Sequence, residues 1–301
     1  MMDGIEYDSK LNKLIQLVER HAPREHVNAT ALDNLVLVRE TRPHGNRVDI
    51  YGSGILCWLR GRKEGVIGSE PFELTDGSLL VACLPTPIET VLLETDANQP
   101  ALGIGIEFDL MRIAELLVRL DSLVPLRVDG EIEERACFVQ PLDERLLDAL
   151  LRLVLTLDSA AETAVLAPMI IDEIYVHLLT NEHSAVLRHM LRHRGQVQLI
   201  APAVRYIHQH LADNISVETL AATVNMSVSH FRRVFRRIMQ MPPLQYAKSI
   251  KLDRAQTMLS QGMRVSDTAR QVGYNSVAQF SREFRRQFGY APSETETNHN
   301  L

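Results

Sequence analysis

The most regular hydrophobic pattern of the chain lies near its C-terminus, in the stretch GYNSVAQFSREFRRQFG at 273–289. Phe280, Phe284 and Phe288 are four residues apart, a spacing that places them on one face of an α-helix. Ser276 stands at the N-cap position, and Gly289 stands where a left-handed residue ends a helix. The pattern therefore predicts a short helix with one apolar face. Its opposite face carries Arg282, Arg285 and Arg286.

A second copy of this pattern precedes the first, in NMSVSHFRRVFRRIMQ at 225–240. Phe231 and Phe235 form its apolar stripe, and Ser227 matches the capping position of Ser276. A short helix, a tight turn and a second helix with a cationic face are typical of the helix-turn-helix, whose second helix enters the DNA major groove. The short segments that supply the first helix of each unit are SVETLAATV at 216–224 and VSDTARQV at 265–272.

Residues 31–108 have a different pattern, in which short apolar runs such as NLVLVRET and SLLVACLP are separated by Gly, Pro, Asn and Asp. Several short strands at this spacing predict a small antiparallel barrel or sandwich. After Asp109 the pattern becomes helical. The segment ERLLDALLRLVLTLD at 144–158 has a wide apolar face, which the barrel, the next helix or a second protomer must cover.

The charge of the chain is divided unevenly. The formal net charge is -6 for the whole chain, but residues 196–301 carry +6 and residues 1–195 carry -12. A basic module on an acidic body is typical of a nucleic-acid-binding protein with a separate sensing part, and it argues against a membrane-surface role. No apolar run has the length of a membrane span, the polar N-terminus does not look like a signal peptide, and the three cysteines fit a reducing compartment. We therefore expect a cytoplasmic protein.

The C-terminal third resembles the DNA-binding domain of AraC/XylS-family transcription regulators. The residues that carry the resemblance are LAATVNMSVSHFRRVFRRIMQMPPLQYAKSIKLDRAQTML and DTARQVGYNSVAQFSREFRRQFGYAPSE. Asn225 and Gln240 stand where the family usually has glycine. The resemblance implies that a long helix, here roughly Leu244 to Leu259, bridges the two units and sets their recognition helices one DNA turn apart.

The N-terminal part resembles an AraC-type N-terminal domain, which implies a cupin-like barrel that senses an effector and dimerises. The resemblance rests on LCWLRGRKE (56–64), LTDGSLLVACLP (74–85), QPLDERLLDALLRL (140–153) and LAPMIIDEIYVHLLT (166–180). The expected fold class is therefore α+β, with an N-terminal cupin-like β-barrel and trailing helices before an all-α domain with two helix-turn-helix units. The expected domains are a sensing and dimerisation domain at 1–182, a linker at 183–195 and a DNA-binding domain at 196–301.

The first turn of each recognition helix holds the candidate base-reading residues, because Arg can bridge guanine O6 and N7 and Gln can bridge adenine N6 and N7. These candidates are Ser229, His230, Arg233, Gln279 and Arg282. Cations further along are expected to contact phosphates. They are Arg236, Arg237, Arg285 and Arg286, with Lys248, Lys251 and Arg254 on the bridging helix. The last three also fit ordinary solvated surface.

Cys57 and Trp58 are the candidates for the effector pocket. They alternate along a strand, so we expect only one of them to face the barrel lumen. Arg60, Arg62 and Lys63 follow, and such cations can lower the pKa of a nearby thiol. Cys57 therefore allows an alternative hypothesis, an electrophile- or redox-responsive regulator, beside its interpretation as a small buried hydrophobe.

Signatures of catalysis and of cofactor binding are missing from the sequence. His44 is the only histidine at 31–108, no glycine-rich phosphate loop opens a helix, and no nucleophile motif frames a serine. We therefore expect no metal, no cofactor and no enzymatic activity. The favoured interpretation is a ligand-controlled transcription regulator whose partners are double-stranded DNA, a small-molecule effector, RNA polymerase and a second protomer. A sequence-blind nucleoid protein is disfavoured by paired base-reading helices at fixed spacing.

Overall fold

The computed structural model of the chain describes residues 2–67, 70–123, 136–181, 183–191 and 196–295. It confirms the expected fold class, since two antiparallel sheets are followed by a helical C-terminal domain. The strands are β1 His26–Ala29, β2 Leu35–Glu40, β3 His44–Tyr51, β4 Gly54–Arg60, β5 Arg62–Ile67, β6 Glu70–Leu74, β7 Ser78–Ala82, β8 Thr86–Glu94, β9 Ala101–Glu107 and β10 Cys137–Pro141. The helices are α1 Met2–His21, α2 Leu110–Leu123, α3 Glu144–Thr156, α4 Ala160–Val165, α5 Ala167–Thr180, α6 Ser184–Leu191, α7 Gln196–Gln209, α8 Val217–Thr223, α9 Val228–Met239, α10 Pro243–Ser260, α11 Val265–Gln271 and α12 Val277–Phe288.

The strands form two sheets that face each other. The larger sheet has the order β1-β2-β9-β4-β7-β10, and the smaller has the order β3-β8-β5-β6. Strand β10 lies beyond the region whose pattern predicted strands and pairs with β7 along the edge of the larger sheet. The barrel thus takes one strand from a part of the chain where the sequence pattern predicted only helices.

Side chains alternate between the two faces of the larger sheet, so this sheet contributes to two apolar cores. On one face Cys57, Leu59 and Leu79 pack with the N-terminal helices. On the other face Trp58 and Leu80 pack into the space between the sheets. The domain therefore has three layers: helices, the larger sheet and the smaller sheet.

Helix α3 is covered within its own protomer. Its apolar side chains, including Leu146, Leu150 and Leu153, are fully buried, and the helix packs against α1 and α5. The sequence left open whether the barrel, the next helix or a second protomer covers this apolar face. In the structure, neighbouring helices of the same protomer cover it. This face is therefore not free to bind a second protomer.

The segment expected to be a linker contains helix α6, which packs against α5 and α7 with Leu187 buried. Residue 182 and residues 192–195 lie outside the described residues. Within the described residues, the segment between the two halves contains a packed helix at 184–191. The bridging helix α10 extends one residue beyond its expected bounds at each end.

The two halves of the chain contact each other directly. The amide of Ala136 donates to the carbonyl of Ile238 at 3.0 Å, and the hydroxyl of Tyr246 donates to the carbonyl of Pro85 at 2.8 Å. Phe231 and Phe235 of the first helix-turn-helix belong to the same continuous apolar core as α3 and α5, whereas the second unit has a separate core. The first unit is thus packed together with the N-terminal domain.

Candidate DNA interface and effector cavity

The two candidate recognition helices, α9 and α12, begin in the same way. The Ser227 hydroxyl accepts a hydrogen bond from the amide of His230 at 3.3 Å, and the Ser276 hydroxyl accepts one from the amide of Gln279 at 3.3 Å. These N-caps satisfy amides that the helix itself leaves free. The repeat in the sequence is therefore a repeat in local geometry.

The turns and helix ends also correspond in backbone conformation. Asn225 (φ 53°) and Gln240 (φ 58°) are left-handed like their counterparts Gly273 (φ 81°) and Gly289 (φ 82°). Gln240 also donates from Nε2 to the carbonyl of Arg237 at 2.9 Å. The first unit thus keeps the geometry of the second although it lacks both glycines.

Aromatic side chains fix the orientation of each recognition helix. Phe235 packs edge-on against Tyr246 of α10, with ring centroids 5.6 Å apart. Phe280 and Phe284 are fully buried and 5.6 Å apart. With the phenylalanines inside, the arginines of the same helices face solvent.

Every candidate base reader and every arginine assigned to phosphate on α9 and α12 is exposed. None of the seven arginines on these two helices makes an ion pair with a described residue. In the N-terminal domain, by contrast, Arg47, Arg62, Arg112 and Arg152 each reach two carboxylates. Exposed cations without ion-pair partners suit contacts with an anionic nucleic-acid backbone.

Several other candidates already have partners. Gln279 donates to Glu283 at 3.2 Å, and Lys248 lies 3.4 Å from the same carboxylate. Lys251 donates to the carbonyl of Asp213 at 2.9 Å. Arg254 is exposed. Gln279, Lys248 and Lys251 would therefore have to exchange a partner to contact DNA, and their roles stay predictions.

A cavity of about 420 Å³ lies between the two sheets. Val36, Leu56, Trp58 and Leu80 supply apolar walls from the larger sheet. Volume and lining are typical of a site for a small organic molecule. Of the two pocket candidates, Trp58 lines this cavity and Cys57 faces the helices on the other side of the sheet.

A cluster of charged side chains projects into the cavity from three strands. Arg47 donates from Nε to Asp49 at 2.6 Å and from Nη2 to Glu40 at 3.3 Å. Lys63 donates to Asp49 at 3.3 Å and lies 3.9 Å from Glu40. Its ammonium group also lies 5.4 Å from the centre of the Trp58 ring, within cation–π distance.

The members of this cluster hold each other in their charged forms. Burial raises the pKa of Glu40, but the charges of Lys63 and Arg47, together with the nearby His44 side chain, outweigh it and hold that pKa well below its usual range. Burial opposes the charge on Lys63, yet Tyr51, Asp49 and Glu40 raise its pKa above the usual value. The cavity therefore contains two fixed cations and two fixed anions at neutral pH.

One residue of the C-terminal domain also lines the cavity. Asp253 of α10 faces the barrel, and burial together with the nearby Asp49 carboxylate raises its pKa to about 6. Helices α10 and α12 both pack on strand β3, which carries Arg47 and Asp49. The cavity between the sheets and the C-terminal helical domain are thus in direct contact.

Sequence reasoning missed this cluster. A signal was present, because Arg47, Asp49 and Tyr51 alternate along β3 and so point to one face. From the sequence, Lys63 is expected only as a cation that could lower the pKa of the nearby Cys57 thiol. Its side chain points instead between the sheets, and burial raises the pKa of Cys57 to about 12.

The described residues hold no group of three or more His, Cys, Asp and Glu side chains that could bind a metal ion. No described helix is both long and apolar enough to cross a membrane. The three cysteines, Cys57, Cys83 and Cys137, are buried free thiols.

Two family models match the chain. One describes the AraC-type transcriptional regulator N-terminus and matches residues 31–186, and the other describes a helix-turn-helix domain and matches residues 220–298. Among curated relatives, the lactose operon transcription activator of Staphylococcus xylosus is 32% identical over 96 residues, which are 32% of this chain and 34% of the relative. The arabinose operon regulatory protein of Escherichia coli (strain K12) is 31% identical over 97 residues, 32% of this chain and 33% of the relative. The chain thus matches about a third of the length of these relatives.

Solved structures share the fold over most of the chain. ToxT from Vibrio cholerae has a TM-score of 0.62 at 11% identity, covering 87% of this chain and 97% of ToxT. In another crystal structure, with a TM-score of 0.57 at 12% identity and coverage of 87% of this chain and 92% of that one, ToxT is bound to an unsaturated fatty acid. At such identity the likeness concerns the fold alone. The family model of the AraC-type N-terminus matches more than half of the residues of this chain. The chain therefore belongs to the AraC-type transcriptional regulators.

Proposed function

We propose that the chain regulates transcription by binding a specific double-stranded DNA site through α9 and α12 under the control of a small molecule bound between the sheets. The observation that carries the proposal is the set of seven arginines on these two helices, which are exposed and make no ion pairs with described residues. Exposed arginines without ion pairs are available to neutralise phosphates, and this supports binding to a nucleic-acid backbone.

Sequence specificity is supported by the repeated geometry. Equal caps at Ser227 and Ser276 place His230 and Arg233 of α9 at the same positions as Gln279 and Arg282 of α12, in the first two turns of each helix, and Ser229 lies beside His230. In helix-turn-helix proteins these positions face base edges, whereas residues further along contact the backbone. A sequence-blind binder needs only the second kind of contact.

Control by a small molecule is supported by the cavity and by its contact with α10. A ligand shifts an equilibrium only if it binds one arrangement better than another. Asp253 gives the ligand a direct contact with the DNA-binding domain, so occupation of the cavity can favour one arrangement of α10 on the barrel. ToxT, which shares the fold, accommodates an organic ligand, and this is compatible with an organic effector here.

The experiment is selection of bound sequences from random duplex DNA with the full chain, followed by fluorescence anisotropy on the enriched site and on a scrambled one. We expect an enriched motif with two parts about one helical turn apart. Arg282→Ala should lose preference for the motif, whereas Arg145→Ala, an exposed arginine on α3, should not. Equal affinity for the motif and for scrambled DNA would contradict specific recognition.

A further inference from the structure

We propose that the cavity between the sheets is built for a cation, namely a small molecule that carries a protonated amine on an apolar skeleton. The inference rests on the proposed function, because it assigns the chemical class of the effector.

The lining of the cavity is acidic. Three carboxylates that are not exposed face two cationic side chains, which gives this part of the lining a formal charge of -1. Fixed charges in a site walled by apolar side chains act more strongly than at an open surface. The three acidic residues are Glu40, Asp49 and Asp253, whereas Asp33 and Glu107, which also line the cavity, are exposed to solvent. Such a field attracts a cation and opposes a carboxylate.

Both cations of the lining already have carboxylate partners. Arg47 is bound to Asp49 and Glu40, and Lys63 is bound to Asp49. The ammonium group of Lys63 also lies near the Trp58 and Tyr51 rings, 5.4 Å and 5.9 Å from their centres. A carboxylate ligand would have to compete for these donors and would leave a buried acid without its partner, which is costly.

The acceptors, in contrast, are not all used. Glu40 is 4% exposed, and its Oε2 lies 3.3 Å from Nε2 of His44 without a hydrogen bond of regular geometry. The buried hydroxyl of Tyr51 also lacks a partner. No described residue donates a hydrogen bond to the side chain of Asp253. An ammonium group, which has three donors and no acceptor, complements this set.

The apolar part of the effector has its own surface in the cavity. Val36, Leu56 and Leu80 form one wall, and the Trp58 ring stands among them. A cation near an aromatic face gains further stabilisation, as the position of Lys63 over Trp58 already illustrates. A volume of about 420 Å³ accommodates a small molecule with one head group and a short skeleton.

The titration of Asp253 agrees with this geometry. Burial and the Asp49 carboxylate raise its pKa to about 6, and the nearby Arg254 does not compensate. The ionised form is therefore disfavoured, and a bound ammonium group would stabilise it. Binding of an amine should accordingly release protons near pH 6, which an uncharged ligand would not do.

The experiment uses three probes that share one ring and differ in head group: 2-phenylethylamine, 2-phenylethanol and phenylacetate. Binding to the full chain is measured near neutral pH by calorimetry and by thermal shift. We expect the amine to bind at least about tenfold more tightly than the alcohol, equivalent to about 1.4 kcal/mol, and phenylacetate to bind most weakly. Phenylacetate binding as tightly as the amine, or no stabilisation by the amine at millimolar concentration, would overturn the proposal.

A pair of variants separates charge from fold. Asp253→Asn should weaken binding of the amine about tenfold and leave binding of the alcohol unchanged, since it removes a carboxylate without removing volume. Glu89→Gln makes the same change of charge on the outer face of β8 and should alter neither affinity. Equal weakening of both probes by Asp253→Asn would show a structural role and contradict the inference.

The DNA-binding activity is followed on the same preparations by anisotropy without any probe. DNA binding that persists while the amine fails to bind rejects the cationic effector and leaves the proposed function standing. If the unaltered chain shows no specific DNA binding, the proposed function itself is rejected.

Discussion

Asp253 of α10 and Asp49 of β3 line the same cavity, one from the DNA-binding domain and the other from the barrel. Asp49 is held in its charged form by Lys63 and Arg47, which outweigh the effect of burial on its pKa. Asp253 has no such partner, so burial and the Asp49 carboxylate raise its pKa from 3.8 to about 6. The contact between the two domains therefore contains a carboxyl group, that of Asp253, whose ionisation destabilises the contact.

The pH dependence of stability follows from this pair. A carboxyl group whose pKa is raised on folding binds more protons in the folded state, so its contribution favours folding at low pH and is lost as pH rises from about 4 through 6. Asp253→Asn removes the penalty, which is at most about 3 kcal/mol for a shift of about two pKa units. Above pH 6 we expect calorimetry to give a higher Tm for Asp253→Asn than for the unaltered chain. At pH 4 the difference in Tm between the two proteins should be smaller. An unchanged difference across this range would contradict the assignment.

Base contacts and phosphate contacts should separate by their dependence on salt. Arg282→Ala is expected to cost about 1–3 kcal/mol on the enriched site and to relax discrimination at one base pair. Arg286→Ala should weaken binding to all sequences equally and reduce the salt slope by about one unit. Anisotropy titrations at several salt concentrations measure both effects. If the two variants behave alike on specific and scrambled DNA, α12 is not docked as proposed.

Gln240 should be less favourable than glycine at the end of α9. Its φ of 58° is left-handed, a conformation that glycine adopts without the cost imposed by a Cβ atom. Gln240→Gly is therefore expected to stabilise the chain by about 0.5–1 kcal/mol in urea denaturation. Gln240→Ala is the control, because it keeps the Cβ atom and loses the hydrogen bond to Arg237; it should not stabilise the chain. Gly289→Ala should destabilise it by about 1 kcal/mol.

The helices could be predicted because their causes are local. The four-residue spacing of Phe280, Phe284 and Phe288, the cap at Ser276 and the glycine at 289 are all contained within one segment. The same holds for the opposite, cationic face, whose exposure follows from burial of the phenylalanines. Strand pairing in the barrel is less local, and β10 escaped prediction because its partner β7 lies on the other side of α2 in the sequence.

The charged cluster could not be predicted for the same reason. Glu40, Arg47 and Lys63 come from three strands, and only the pairing of the sheets brings them together. Asp253 joins them from α10 through a contact between domains. The sequence offered alternation along β3 but no indication of which face would be the lumen. Equally, the alternation of Cys57 and Trp58 could not say which side chain would enter the cavity.

Removing one charged member of the cluster should lower the stability of the fold strongly, although the substitution changes few atoms. Lys63→Met keeps most of the buried side chain but leaves Asp49 and Glu40 with less positive charge between the sheets. Loss of one partner of a buried pair costs about 3–5 kcal/mol, so we expect a marked loss of stability in urea denaturation. Glu64→Gln, at the neighbouring position whose side chain points outward, should cost less than about 1 kcal/mol. A small effect of Lys63→Met would contradict the arrangement of the cluster.

The thiols allow a direct test of the hypothesis that the chain senses electrophiles or oxidants. Cys57 is fully buried against the helices, and burial raises its pKa to about 12, so the reactive thiolate is scarce at neutral pH. Burial also raises the pKa of Cys83 to about 12. We expect 5,5′-dithiobis(2-nitrobenzoate) to label the folded chain no faster than it unfolds, and DNA binding to be unchanged by brief exposure to it. Cys57→Ala should cost about 1–2 kcal/mol for the lost packing and leave both DNA binding and the response to an amine intact. Fast labelling that abolishes DNA binding in the unaltered chain but not in Cys57→Ala would instead favour reactive sensing through this thiol.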